Sequence, residues 1–496
     1  MSGIRVTYSG LISLVIGFST IVTGLIFTLI VTRSLTPEEL GTWSLIGGLI
    51  TYVIIIEPII SYWVLRETAR GIESEKTAVV TSAIFSVGAS FAYLVIAYFV
   101  GVKTGADLEI LLFAVFLLPF TFVNRTLSAI SLGWKPHLNS YGVILLDIVK
   151  VPAVLIFIYF LDLAVIGAIL SLIVSYIVSI ISLVILNKTK LKSTLKLQYV
   201  RKWIKLSWLS GYIKFPNIVV LDVLVFSIIT GSVVGLAYWT TAFTIGTMVR
   251  HSSQITRAVY PKLLGGGSKK ILQENITRLF YFAFPMLAFS ITFAKPALFA
   301  LNPLYDVGAL AVIFLTIRAF LKMLGDLFTQ SLTGVEKVDI DENSTFKDYL
   351  KSKLFYLPTI KLIQRGVYLG SLIIGLIILI QLESSQIELV IWWSIIALVS
   401  QIPFTLYFYI LVRKDFPLLL NRIAILKYSL SSLVVFGFSY FLIEGFLEYD
   451  ESIFVFLPKL LLFIALGFGS YVGLTYLIDK NTRGLYKAII KEIKDR

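Results

Sequence analysis

The chain has 496 residues, 57% of them apolar and 15% charged, with a net charge of +14. Soluble domains carry about 45–50% apolar and about 25% charged residues. Because the apolar excess runs the whole length, a soluble domain and a singly anchored enzyme are both excluded, leaving a polytopic membrane protein. Cysteine is absent, and the two histidines, His137 and His251, lie in different segments. Disulfides, iron–sulfur clusters, thiolate metal sites, cysteine nucleophiles and a His-rich metal site are therefore not expected. No Cys, four Met and many Ile, Lys and Glu fit a thermophile. The positive charge reads as cytoplasmic loops against anionic headgroups, with no nucleic-acid partner.

A helix needs ~20 mostly apolar residues to cross the hydrocarbon core, and about fourteen segments qualify. The first six are predicted near 10–32, 42–64, 77–100, 109–133, 141–161 and 163–187. The next six are predicted near 204–230, 233–258, 278–301, 307–333, 359–381 and 387–412. Two more follow near 423–444 and 453–478. The apolar stretch after MSGIRVTYSG is too long for a signal-peptide core and lacks a small-residue cleavage site, so it reads as the first span. The longest connections, about 187–203 and 334–358, hold the amphipathic stretches LKLQYVRKWIKL and FKDYLKSKLFYL. Such helices lie in the headgroup layer, here as scaffolding. The turns TRSLTPEELGTWSL and IITGSVVGLAYWTT place Gly41 and Gly235 alike, which suggests six helices, a basic linker and six more.

The loops alternate in charge. The connection 187–205 carries seven cations and no acid, and Lys262, Lys269, Lys270, Arg413, Lys414, Arg422 and the basic tail fall on the same side. Glu38, Glu39, Asp107, Glu109, Asp306, Glu383, Glu388 and Glu448 fall on the other. Basic loops are cytoplasmic, so both termini are predicted inside.

Charges deep in spanning segments are costly and usually mark function. The cations are Arg125, Lys150, Lys214, Arg250, Lys295, Arg318 and Lys322, and the carboxylates are Glu57, Asp147, Asp222 and Asp326. Glu57 precedes Pro58, which predicts a kink. Asp147 and Lys150, spaced i, i+3, share a helix face; mutual neutralisation and a substrate or proton role stay open. Arg318, Lys322 and Asp326 form an i, i+4, i+8 stripe, with Arg318 too deep to snorkel. The remaining carboxylates could couple an ion or form ion pairs. Buried cations in excess imply an anionic ligand. Phosphate suits the Arg fork and the Lys point charge, so these cations are expected to approach one central cavity. No P-loop or GxGxxG occurs, and GGG at 265–267 reads as a flexible turn. No catalytic residue, metal or cofactor is expected, and the chain reads as a transporter and not an enzyme.

TRSLTPEELGTWSL, WVLRETARG, AYWTTAFTIGTMVRHSSQITRAVYPKL and PALFALNPLYDVGALAVIFL resemble the Wzx-like polysaccharide flippases of the multidrug/oligosaccharidyl-lipid/polysaccharide (MOP) exporter superfamily. The resemblance implies an all-α fold of two six-helix lobes, MATE- and MurJ-like, plus two C-terminal helices. The divisions are 1–187, a linker at 188–203, 204–412, and 413–496 with a cytoplasmic tail. It implies alternating access in the cell membrane by a monomer. The substrate would be a lipid-linked oligosaccharide on a polyprenyl or dolichyl (pyro)phosphate, with H+ or Na+ as a coupling ion if there is one. A cation-coupled exporter of small molecules is the alternative within transporters, and would favour an acidic cavity. A membrane-embedded glycosyltransferase or polymerase is the alternative outside them, and would need a larger outer domain than these short loops supply.

Overall fold

Thr36-Pro37-Glu38-Glu39 shows how local sequence starts a helix here. Thr36 Oγ1 accepts from the Glu39 amide at 3.2 Å, and Glu39 Oε2 accepts from the Thr36 amide at 2.9 Å. This reciprocal cap satisfies two otherwise orphaned donors, and Pro37 occupies a position where no amide hydrogen is needed.

The computed structural model describes residues 20, 22–205, 207, 212, 221–256, 269–333, 338, 346–415 and 421–484, which hold helices and no strand. Contacts divide the chain into two compact units, Met1–Ala237 and Tyr238–Arg496.

The first unit contains α1 (Val22–Ser34), α2 (Pro37–Val53), α3 (Pro58–Ala69), α4 (Glu75–Thr104), α5 (Leu108–Phe113), α6 (Leu117–Trp134), α7 (Pro136–Val154), α8 (Ala164–Leu186), α9 (Leu197–Lys205) and α10 (Asp222–Thr230). The helix breaks at Glu57–Pro58: α2 tightens into a 3₁₀ turn at Ile54–Ile56, and Pro58 opens α3. Ile60, Val64, Leu127, Ile130, Leu183 and Trp203 form one buried cluster. The linker helix α9 is fastened to α3, because Glu67 accepts from Lys202 Nζ at 3.0 Å and from Trp203 Nε1 at 3.2 Å.

The second unit begins within α11 (Val234–Gly246). A 3₁₀ segment, Met248–Thr256, follows. Then come α12 (Lys269–Thr292), α13 (Ala294–Leu301), α14 (Ala309–Thr333), α15 (Phe346–Lys351), α16 (Lys353–Gln381), α17 (Gln386–Asp415), α18 (Arg422–Phe446) and α19 (Ile453–Ile478). The α12–α13 pair bends by 69° next to Lys295 and Pro296. Helices α18 and α19 share an aromatic cluster with α12 that includes Tyr281, Tyr428, Phe436 and Tyr471. Tyr471 Oη donates to the Tyr281 carbonyl at 2.7 Å. Opposite that contact, Leu426, Leu433, Phe438 and Phe441 are exposed, as lipid-facing residues are.

Ten described helices are long and apolar enough to cross a membrane, or eleven if the bent pair is one span. The chain is thus a multi-pass membrane protein, while the predicted fourteen exceeds this count. The first predicted span is described only from Val22 as a shorter apolar helix. Most of the seventh lies outside the described residues, and the eighth breaks after Gly246.

The two turns singled out by their glycines meet inside the first unit. A Cβ on Gly41 would overlap the Val233 carbonyl oxygen. Backbone cannot yield as a side chain can, so overpacking there should cost about 1–3 kcal/mol. Gly41→Ala should therefore lower the thermal unfolding midpoint of detergent-purified protein. Gly47→Ala, with nothing within 4 Å of the added methyl, should leave the midpoint unchanged.

Candidate functional site

The strongest constellation lies in the second unit, on α14 and α16. The stripe Arg318, Lys322 and Asp326 on α14 faces residues of α16 in reverse order. Asp326 Oδ1 accepts from Lys361 Nζ at 3.0 Å. One turn along, Lys322 lies within electrostatic reach of Arg365. One turn further, the Arg318 guanidinium sits over the Tyr368 ring, 5.3 Å from its centroid. The pairs 326/361, 322/365 and 318/368 are the rungs of an antiparallel ladder. Its outer rungs are attractive and its middle rung sets like charges together.

Further cations gather on the middle rung. Asp326 attracts the Lys322 charge from the next rung, while Arg250, exposed on the 3₁₀ segment after α11, and Arg318 both act against it. Asp326 is the only acidic residue in α14 and α16. Polar brackets hold the helices in register. Gln364 Nε2 donates to Gln401 Oε1 at 2.8 Å, Gln401 Nε2 to Thr405 Oγ1 at 2.9 Å, and Thr405 Oγ1 to the Leu321 carbonyl at 3.2 Å. These bonds tie α16 to α17 and α17 back to α14, beside Lys322. Arg318 is buried at 8% exposed, so its aromatic partner supplies favourable quadrupole contact in place of water.

The other candidate charges are placed differently. Within the first unit, Lys150 Nζ donates to Asp147 Oδ1 at 3.0 Å, with side chains only 13% and 6% exposed. Lys150 also lies over the Phe27 ring, 5.5 Å from its centroid. Glu57 is buried where α2 breaks and accepts from Ser61 Oγ at 3.1 Å. Asp222, also buried, accepts from the Val223 amide at 3.1 Å and acts on the Tyr52 phenol. Arg125 is exposed on α6, while its neighbour Asn124 accepts from Ser179 Oγ at 2.8 Å. In the second unit, Lys295 is grouped with Asp306 at 3.9 Å and the Tyr449 ring at 5.6 Å. Lys214 and the Tyr260-Pro261-Lys262 and 265–267 stretches lie outside the described residues. The ladder therefore unites Arg250, Arg318, Lys322 and Asp326, and Lys150 and Lys295 sit in separate ion pairs.

Sequence reading missed Lys361, Arg365 and Tyr368. The eleventh segment was predicted from 359, which puts Lys361 at its rim. The helix starts at Lys353, which moves Lys361 and Arg365 two to three turns inward. Their i, i+4 spacing was the available signal.

No family model matches the chain, and no curated protein matches it. Solved structures do. A structure of the lipid II flippase MurJ in an inward-closed conformation superposes with a TM-score of 0.61 at 16% identity, covering 97% of this chain and 99% of that one. An inward-facing MATE multidrug-resistance transporter of the MOP superfamily gives 0.55 at 18% identity, covering 82% of this chain and 98% of the other. A MATE structure in a straight conformation gives 0.52 at 17% identity, covering 80% and 94%.

The fold is that of the MOP exporters. The all-α MATE- and MurJ-like fold expected from sequence is thus met, and the solved structures that share it are transporters and flippases.

The Asp147–Lys150 pair admits a direct test. Removing one partner of a largely buried pair leaves an uncompensated charge, whereas removing both does not. Asp147→Asn and Lys150→Met should each destabilise by ~2 kcal/mol, and the double variant should recover most of that loss in thermal unfolding. A substrate role for Lys150 would instead appear as lost transport at unchanged stability.

Proposed function

We propose that this protein is a lipid-linked oligosaccharide flippase. Its substrate is a glycan on a polyprenyl or dolichyl phosphate or pyrophosphate, carried from the cytoplasmic to the outer leaflet by alternating access. The observation that carries this reading is the like-charged middle rung, Lys322 with Arg365, flanked by Arg318 and Arg250. Cations that outnumber the carboxylates beside them, here Arg250, Arg318, Lys322, Lys361 and Arg365 against Asp326, are stabilised by an anion. A phosphate offers oxygens that Arg binds as a fork and Lys as a point charge. The ladder belongs to the same fold as a lipid II flippase, which supports a lipid-borne anion.

In this reading the chain crosses the cell membrane fourteen times as two six-helix lobes and a C-terminal pair, acts as a monomer, and keeps both termini cytoplasmic, as the basic loops require. Tags at either end should be labelled only after the cells are permeabilised. Lys150 and Lys295, taken up by Asp147 and Asp306, serve insertion and packing. Buried Glu57 and Asp222 favour a second reading, a cation-coupled exporter, and supply the groups on which H+ or Na+ could act in either case.

Arg318 decides between the readings. For a phosphate substrate, Arg318→Lys should keep partial transport and Arg318→Ala should lose about tenfold or more, because the fork and then the charge are removed. The readout is the leaflet distribution of the lipid-linked glycan, normalised to the amount of protein in the membrane. Full transport by a well-expressed Arg318→Ala variant rejects the cationic site.

A further inference from the structure

The third rung of the ladder continues beyond Arg318. Tyr368 carries the guanidinium on its ring face, and its hydroxyl accepts from Trp393 Nε1 at 2.7 Å. Trp393 in turn stacks on Trp239, with ring centroids 3.6 Å apart and planes within 3°. Both indoles are buried. The relay therefore runs from α11 through α17 and α16 to α14, four helices of one unit, and ends on the most buried cation of the cluster.

Each link has a physical reason. A buried indole N–H needs an acceptor, and the phenol oxygen supplies it, which fixes the rotation of the Tyr368 ring. The parallel stack on Trp239 fixes the Trp393 plane. A ring fixed in this way presents one face to Arg318, and a cation over that face is attracted without being neutralised. A carboxylate in the same place would hold Arg318 as firmly but would cancel the charge that an anion requires. We propose that Tyr368 and Trp393 are positioning residues. They hold the Arg318 fork aimed at the anion site while leaving its charge available.

This proposal rests on the phosphate reading of the cluster, and the experiment separates the two. The probe is inorganic pyrophosphate, titrated by calorimetry into the full-length protein in nanodiscs, with tryptophan emission recorded in parallel. Tyr368→Phe keeps the ring face but loses the acceptor that fixes it, and should weaken binding by about threefold to fivefold. Tyr368→Leu removes the face and should weaken binding by roughly tenfold. Trp393→Phe keeps aromatic packing but loses the donor, and should weaken binding by about threefold to fivefold. In an Arg318→Ala background, where Lys322 and Arg365 remain, Trp393→Phe should cause no further loss, because its effect passes through Arg318. In the parent, pyrophosphate should shift the emission of the stacked indoles; in Arg318→Ala it should not.

If Arg318→Ala itself binds pyrophosphate like the parent, the phosphate reading fails. If Arg318→Ala is weakened but Tyr368→Leu binds normally, the positioning proposal fails alone. An equal loss from Trp393→Phe in both backgrounds would mark a purely structural role and also overturns it. Should Tyr368→Leu not fold, the Trp393→Phe pair of measurements decides the question.

Discussion

Charge inside a bilayer protein is tolerated only where something compensates it, and that constraint organises this chain. An isolated cation at the membrane centre costs a few kcal/mol or more, so each deep charge has to be assigned a partner. Lys150 has Asp147 and Lys361 has Asp326. Arg318 has an aromatic face. The middle rung brings like charges together, since Lys322 and Arg365 oppose each other with Arg250 and Arg318 in reach, and Asp326 acts on Lys322 from the next rung. Like charges brought together repel, and more strongly the less water lies between them. The attractive rungs on either side and the Gln364–Gln401–Thr405 bracket keep the helices together against that repulsion. Asp326 offsets part of it from the neighbouring rung, and on the phosphate reading an arriving anion would offset more.

The transmembrane character and the helix positions were legible because hydropathy over ~20 residues is a strong, local signal. The break at Glu57–Pro58 was legible because a proline ring excludes the hydrogen bond that would continue the helix. The Asp147–Lys150 pair was legible from i, i+3 spacing alone. The ladder was only half visible. Spacing along one helix gave Arg318, Lys322 and Asp326, but pairing across helices depends on register, which no local pattern encodes. Lys361 and Arg365 were passed over because α16 begins at Lys353, about six residues before the apolar run; a helix does not stop where its hydrophobicity fades. Tyr368 and Trp393 carried no signal at all, since aromatic residues are common in apolar helices and only their hydrogen bond and stacking set them apart.

The fold by itself does not choose a substrate, because it is shared by a lipid II flippase and by multidrug transporters. The choice has to come from the sign and placement of charge. In this chain the balance of sign differs between the units. Buried Glu57 and Asp222 belong to the first unit, whereas Arg250, Arg318, Lys322 and Arg365 belong to the second. Carboxylates can take up a proton or a sodium ion, and guanidinium groups cannot. Guanidinium groups can fork a phosphate, and carboxylates repel it. On the proposed reading, substitutions at Glu57 and Asp222 would address coupling, and those at Arg250, Arg318, Lys322 and Arg365 would address anion binding. The second-unit cluster holds a single carboxylate, Asp326, and that carboxylate bonds Lys361, so the cluster keeps a net positive charge, which is what an anionic substrate would need on this reading.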